Sequence, residues 1–187
     1  MLPGGFASLA DLQGAWYIAH TKARFEKAFA WDLSAAGTQY FLPMIPRIRF
    51  SGGRKRTVLM PLFTSYVFFT GNAQTRHNAL ATNRLCQVIP VVDQASLKKE
   101  LLSIEKAIRG EMTLDPYPFA AIGQRVRIAA GPLMGLEGIV VERDKVTRVV
   151  LQVSVLGQGA SVQIDADVLE PLDEDAPQTR RTGGVLS

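Results

Sequence analysis

Arg54, Lys55 and Arg56 stand just ahead of a stretch, MPLFTSYVFFTG, that holds Phe63, Tyr66, Phe68 and Phe69. Cations beside aromatic rings suit binding: the cations neutralise phosphates, and the rings receive bases or apolar side chains. Neither task needs a nucleophile or a general base. The groups that covalent chemistry requires are scattered. His20 and His77 are the two histidines, and neither has a metal-ligating side chain three or four residues away. Cys86, the single cysteine, lies in an apolar stretch and is expected to be a buried structural thiol. SGGRKR lacks the spacing of a phosphate-cradling loop, and no Gly-x-Ser-x-Gly elbow occurs. Asp165, Asp167, Glu170 and Asp173 read as solubilising groups near the end of the chain, not as a converging acid pair. The expectation is a protein that is not an enzyme and uses neither metal nor cofactor.

The charge distribution also points to binding. Residues 1–92 hold ten Lys/Arg against three Asp/Glu, and residues 93–187 hold eleven against fourteen. Between Leu33 and Val92 there is no carboxylate, while Arg47, Arg49, Arg54, Lys55, Arg56, Arg76 and Arg84 all lie inside. A basic half of this kind suggests a polyanionic partner, with a solvated charged face as the competing reading. A length of 187 residues allows one domain or two small ones, and an apolar fraction of 47% is ordinary for a globular chain. No apolar run is long enough to span a membrane, and the first residues lack the pattern of a signal peptide. One cysteine excludes a disulfide framework within the chain, so a cytoplasmic location is expected.

The elements that must position these residues follow from periodicity. AWYIAH (15–20) reads as a strand. Thr21 is placed to cap a helix on which Phe25, Phe29 and Leu33 recur every four residues, with Lys22, Glu26 and Asp32 on the solvent face and Gly37 as its stop. TQYFLPMIPRIRF (38–50) is extended and interrupted by prolines, and SGGRKR is a loop. TVLMPL and SYVFFTG are strands whose two apolar faces imply cover on both sides, or on one side with a sticky patch on the other. NAQTRHNALAT is a short helix or turn and CQVIPVV a strand; Ser96 caps a helix running to Arg109, with Leu97, Leu101, Ile104 and Ile108 on its apolar face. That order fits an α+β fold, beginning with a small α/β sandwich. RGEMTLDPYPFAAI breaks the periodicity and reads as a linker. After it, β-branched alternations between Gly, Pro and Asp turns predict a small five-stranded barrel, and DEDAPQTRRTGGVLS a disordered tail.

Several of these segments, in this order, resemble the NusG family of bacterial transcription elongation factors. WYIAHTKARFEKAF is similar to the family's opening strand and helix, and FLPMIPRIRF with GRKR and MPLFTSYVFF to its central segment. GQRVRIAAGPLMGLEGIVV is similar to its KOW motif, and VLGQGASVQIDADVLE to the closing strands. HTKARFE and GPLMGLEGIVV look closer to the operon-restricted paralogs of the UpxY, LoaP and RfaH type than to the housekeeping factor. The resemblance implies an N-terminal extension over 1–14, an NGN-like domain over 15–108, a linker over 109–121, an SH3-like five-stranded KOW barrel over 122–172, and a tail over 173–187. It implies a monomeric factor, off the membrane, that binds RNA polymerase across its clamp. There it would touch a coiled coil of the largest subunit and a loop of the opposing pincer, suppress pausing, and modulate termination at a restricted set of operons. Upstream or non-template DNA, and nascent RNA, are implied partners. The alternatives are a housekeeping NusG that couples polymerase to Rho or the ribosome, and a ribosome- or RNA-binding KOW protein acting without polymerase.

Carried over residue by residue, the resemblance puts Phe63, Tyr66 and Phe68 on the family's polymerase-binding patch, with His20 beside it. Strand alternation then sends Tyr66 and Phe68 toward polymerase and Phe69 into the core; four core aromatics is the competing reading. His77 and Asn78 match the segment that reaches the second pincer. Lys22, Arg24 and Arg84 match positions near the non-template strand, and Arg54, Lys55 and Arg56 are expected to brush duplex phosphates. Trp31, off the helix stripe, is read as a partly buried aromatic rather than a base-stacking one. Thr64-Ser65 stand where many relatives have a proline turn. Leu133, after Gly131-Pro132, stands where the housekeeping factor usually has phenylalanine, on the loop that meets Rho or a small-subunit ribosomal protein. One relative refolds its barrel as a helical hairpin. Here the valines and isoleucines from Val126 to Val155 favour strands, and Gly131, Gly135 and Gly138 each penalise a helix by about 1 kcal/mol.

Overall fold

A computed structural model describes residues 8–117, 123–143 and 146–172. The first half runs β1 (Ala15–Thr21), α1 (Glu26–Ala35), β2 (Tyr40–Phe41), β3 (Met44–Ser51), β4 (Arg54–Pro61), β5 (Tyr66–Gly71), α2 (Ala73–Ala81), β6 (Leu85–Pro90) and α3 (Gln94–Arg109). The second half is β7 (Leu114–Tyr117), β8 (Arg125–Ile128), β9 (Glu137–Arg143), β10 (Val146–Val153), β11 (Gln158–Gln163) and β12 (Leu169–Pro171). The whole is an α+β fold of antiparallel sheets. One sheet has the order β2-β5-β1-β6, a second β12-β8-β9-β10-β11-β7, and β3 and β4 pair only with each other.

The four-stranded sheet is buried on both faces. Ile18 lies opposite Phe68, Ala19 opposite Val67 and His20 opposite Tyr66. Alternation therefore puts Trp16, Ile18 and Phe68 on one face and Ala19, Val67 and Phe69 on the other. The second face is covered by α1 and α2 through Phe29, Leu33 and Ala79. The first is covered by α3, whose Leu97, Leu101 and Ile104 are buried. Each such side chain, fully buried, contributes about 1.5–3 kcal/mol.

Helix α3 also joins the two sheets. It packs on β10, and its core continues into Val126, Ile128, Val149, Leu151 and Val162 of the second sheet. Polar contacts reinforce this seam. Lys99 pairs with Glu137 at 3.0 Å, Glu100 accepts the Ser154 N–H at 3.1 Å, and Asp115 holds Arg47 at 3.0 Å and Arg148 at 2.9 Å.

Several expectations need correction. The segment 109–121 contains strand β7, which pairs with β11, so the second sheet has six strands; Pro116 is tolerated because β7 is an edge strand. The presumed extension is tied to the core from residue 8 on: Leu9 and Leu12 are buried, and the buried Glu105 accepts the Leu9 N–H and the Ser8 hydroxyl. Residues 1–7, 118–122, 144–145 and the tail 173–187 lie outside the described residues. Thr21 ends β1 rather than capping α1, whose N-cap Phe25 makes no side-chain bond. The cap of α3 is Asp93, which accepts the Ser96 N–H at 2.9 Å. Cys86 is exposed: it lies on edge strand β6 at a register shift that passes from Gln87 to Leu85 and leaves it without a partner on β1.

Candidate functional site

The aromatic cluster divides by face and by position along the sheet. Phe68 is 0% exposed and Phe63 1%, so neither can face a partner. Phe63 meets Phe68 edge-on at 5.9 Å, and both lie in the core that α3 closes. The expectation that Phe68 faces outward is overturned. Strand alternation does put Tyr66 and Phe68 on one face, but α3 covers that face. Phe69, on the other face, is buried against Phe29 and Tyr17. What remains accessible is the end of the sheet where β1 leaves and β5 enters. There His20 and Tyr66, cross-strand neighbours, are half-buried and stacked at 5.0 Å with planes 20° apart.

The turn leading into Tyr66 is held by Glu26, a residue expected on the solvent face of α1. Ser65 adopts a left-handed conformation, φ 66°, and its N–H donates to Glu26 Oε1 at 2.7 Å. The Ser65 carbonyl accepts the Thr21 N–H at 2.8 Å. Glu26 is 5% exposed, not on a solvent face. Its signal was present: Glu26, Phe29, Ala30 and Leu33 form the buried stripe at true helical spacing, with a carboxylate in it. A buried carboxylate inside an apolar stripe needs a donor, and the Thr64-Ser65 turn provides one.

A basic corner adjoins this end. The Lys22 N–H donates to the Arg84 carbonyl at 2.9 Å, and Lys22 Nζ to the Asn83 carbonyl at 2.7 Å. Arg24 is exposed with φ 66°. Arg84 is engaged: its guanidinium pairs with Asp32 and lies 5.7 Å from the centre of the Phe25 ring. The hydrogen bond to Asp32 raises the Arg84 pKa above its ordinary range. The corner therefore leaves Arg24 exposed, ties Lys22 to Asn83 and keeps Arg84 as a local strut.

These features lie in the part of the chain that a known family matches. The family described as "NusG: Transcription termination factor nusG" matches residues 14–108, just over half of the sequence. The chain belongs to the NusG family. It is thus a transcription elongation factor in the broad sense, from a family of non-enzymatic factors. No curated protein gives a significant match. Among solved structures, the one titled "Crystal Structure of MjSpt4:Spt5 complex conformation B" is similar at 14% identity and a TM-score of 0.26, over 85% of this chain and 97% of that one. A likeness that loose carries no argument.

The other residues singled out in this NusG-family chain are spread over four places. His77 and Asn78 are exposed on α2, where Asn78 Oδ1 accepts from Gln74 at 2.8 Å. Arg54, Lys55 and Arg56 are exposed on β4 itself, not on a loop. Leu133 is 1% exposed, packed into the core shared with α3, so it presents no apolar tip to a partner in this arrangement. Trp31, expected to be partly buried, is 74% exposed on α1. Among the described residues, no group of three His, Cys, Asp or Glu side chains is placed to hold a metal ion, and no helix is long and apolar enough to cross a membrane.

Proposed function

We propose that this NusG-family factor binds RNA polymerase across its clamp, suppresses pausing and modulates termination at a restricted set of operons. The observation that carries the reading is the half-exposed His20–Tyr66 stack at the open end of the family-matched sheet. Its rings offer an apolar, planar seat for a side chain projecting from a coiled coil. Exposed His77 and Asn78 on α2 supply a second contact for the opposing pincer, and Lys22 and Arg24 face the transcribed DNA. The restriction to few operons rests on the resemblance of HTKARFE and GPLMGLEGIVV to the specialised paralogs. The burial of Leu133 favours this reading over one in which the second sheet constantly recruits Rho or the ribosome.

The test is a pull-down with core RNA polymerase and a genome-wide occupancy map, each with wild type and with His20→Ala plus Tyr66→Ala. The double variant should keep its circular dichroism spectrum, lose polymerase binding at least about tenfold, and lose its occupancy peaks; removing two clustered interface aromatics typically costs that much. Undiminished binding would discard the stack as the docking site. Peaks over most genes would discard the restriction.

A further inference from the structure

We propose that the groove between α3 and the turn joining β8 to β9 binds a small amphiphilic anion, an acyl chain with a carboxylate head. The inference goes beyond the polymerase reading and does not rest on it. The groove holds a volume of about 680 Å³, within the range of roughly 300–1,000 Å³ that small-molecule sites occupy. Its walls are α3, the stretch Gly135 to Glu137 where the chain enters β9, and Ser8 just ahead of the buried Leu9.

Helical spacing builds the floor. Lys98, Leu102 and Lys106 recur every four residues and form one row along α3, which Ala95 extends by a turn. The row runs beside the face of Leu97, Leu101 and Ile104 that closes the core. Leu102 from one wall and Leu136 from the other are half-buried against that core, so the base of the groove is apolar. The two lysines stand about 12 Å apart along the helix, one on either side of Leu102.

The charges at the rim choose the ligand. Both carboxylates in the groove are already satisfied. Glu105 accepts the Ser8 hydroxyl, the Leu9 N–H and Arg109, the last at 2.8 Å. Glu137 accepts Lys99 at 3.0 Å and Arg127 at 3.2 Å. Lys98 and Lys106 differ: they donate to the neutral carbonyls of Ala10 and Met134, and neither forms an ion pair among the described residues. Two ammonium groups without a counter-charge, flanking an apolar floor, fit a ligand with an apolar body and an anionic end. Arg109 is committed to Glu105, which leaves no guanidinium fork in the groove to grip a phosphate, so a carboxylate head suffices. The segment ahead of Ser8, MLPGGFA, is apolar but contains no carboxylate, and so it cannot supply the missing charge. Because the ligand touches both walls, its binding ties α3 to the turn that carries Leu133 and Met134.

The experiment is isothermal titration calorimetry on the full chain with decanoate below its micelle concentration, beside acetate, decanol and decylamine. Decanoate should bind saturably, one per chain, and raise the melting temperature. Acetate lacks the apolar body, decanol the charge and decylamine its sign; each should bind at least about tenfold more weakly. Lys98→Gln plus Lys106→Gln keeps side-chain length and an N–H donor, and should weaken decanoate about tenfold while leaving decanol unchanged. Lys106→Gln alone, at an exposed position, should show part of that loss with the wild-type circular dichroism spectrum. Leu102→Gln should weaken decanoate and Leu102→Met should retain it. Amide exchange along α3 and at Leu136 should slow with decanoate in wild type and not in the double lysine variant. The proposal is overturned by decanol or decylamine binding as tightly as decanoate, by lysine variants that bind like wild type, or by uptake that does not saturate. It is overturned equally by retention on phosphatidylglycerol vesicles, which would make a membrane the partner, and by decanoate binding that needs residues 1–7 removed, which would make that segment the occupant.

Discussion

Glu26 shows how one side chain sets the shape of the candidate site. Its carboxylate sits in the buried stripe of α1 and takes the Ser65 N–H, fixing a turn in which a non-glycine residue has φ 66°. Tyr66 follows immediately, so the orientation of the ring stacked on His20 depends on that hydrogen bond. Glu26→Ala would leave the Ser65 N–H without a partner at a part-buried site and a gap beneath it. The expected cost is about 1–3 kcal/mol in urea unfolding, together with weaker polymerase binding even though Glu26 touches no partner. Glu26→Gln keeps an acceptor oxygen and should recover most of the stability. If Glu26→Ala unfolds at the wild-type urea concentration, the bond contributes nothing.

At the scale of elements, α3 decides what the sheet can show. Its apolar face covers Ile18 and Phe68 on one side and Val149 and Leu151 on the other, so it is a shared wall rather than a surface helix. Its start is fixed by Asp93, which accepts from the backbone N–H and the hydroxyl of Ser96 at 2.9 and 2.7 Å. Those bonds hold the Asp93 carboxyl below the usual carboxylate range. A depressed folded-state pKa means the cap's contribution is complete above the ordinary aspartate value and is lost as pH falls through the lowered one. Asp93→Ala should therefore lower the melting temperature at neutral pH, and the difference from wild type should shrink on acidification below about pH 4. A gap that is constant with pH would show that the carboxylate's charge is irrelevant to the cap. The type and approximate span of α3 are legible from Leu97, Leu101, Ile104 and Ile108; its cap is not, because Asp93 and Ser96 are both good caps and the choice depends on where β6 ends.

Across the whole molecule, α3 joins the two large sheets, and the Arg47–Asp115–Arg148 bridge ties the β3–β4 hairpin to the second of them. Burial raises the Asp115 pKa, the bonds from Arg47 and Arg148 lower it further, and the net position is below the usual range. Glu137, bonded by Lys99 and Arg127, is also lowered. Both depressed carboxylates contribute above their ordinary values and stop contributing as pH falls through their folded-state values. The contact between the sheets should accordingly loosen below about pH 4, where amide exchange in β7 and along α3 should quicken before that in β1 and β5. Asp115→Asn at neutral pH should reproduce the faster exchange, because it leaves Arg47 and Arg148 facing each other without a counter-charge. Unchanged exchange in that variant would show that the Asp115 bridge contributes nothing to the packing around the second sheet. Since Leu133 is buried in the same seam, looser packing should also raise its exposure.

The sequence by itself determined most strands and helices of the first half, though not that β4 begins at Arg54, and with them the strand character of the second half, the acid-free basic stretch and the family. Those follow from side-chain period and charge, which are properties of neighbours along the chain. It also determined that Tyr66 and Phe68 share a face. Tertiary structure alone decided that α3 lies over that face, leaving His20 and Tyr66 accessible while enclosing Phe63, Phe68 and Leu133. It decided too that Glu26 is buried, that Arg84 is paired, and that Arg49 and Arg56 stand opposite each other on a ribbon that belongs to neither large sheet. Burial and pairing depend on which segment arrives from elsewhere in the chain, and periodicity along one element carries no record of what will be packed against it.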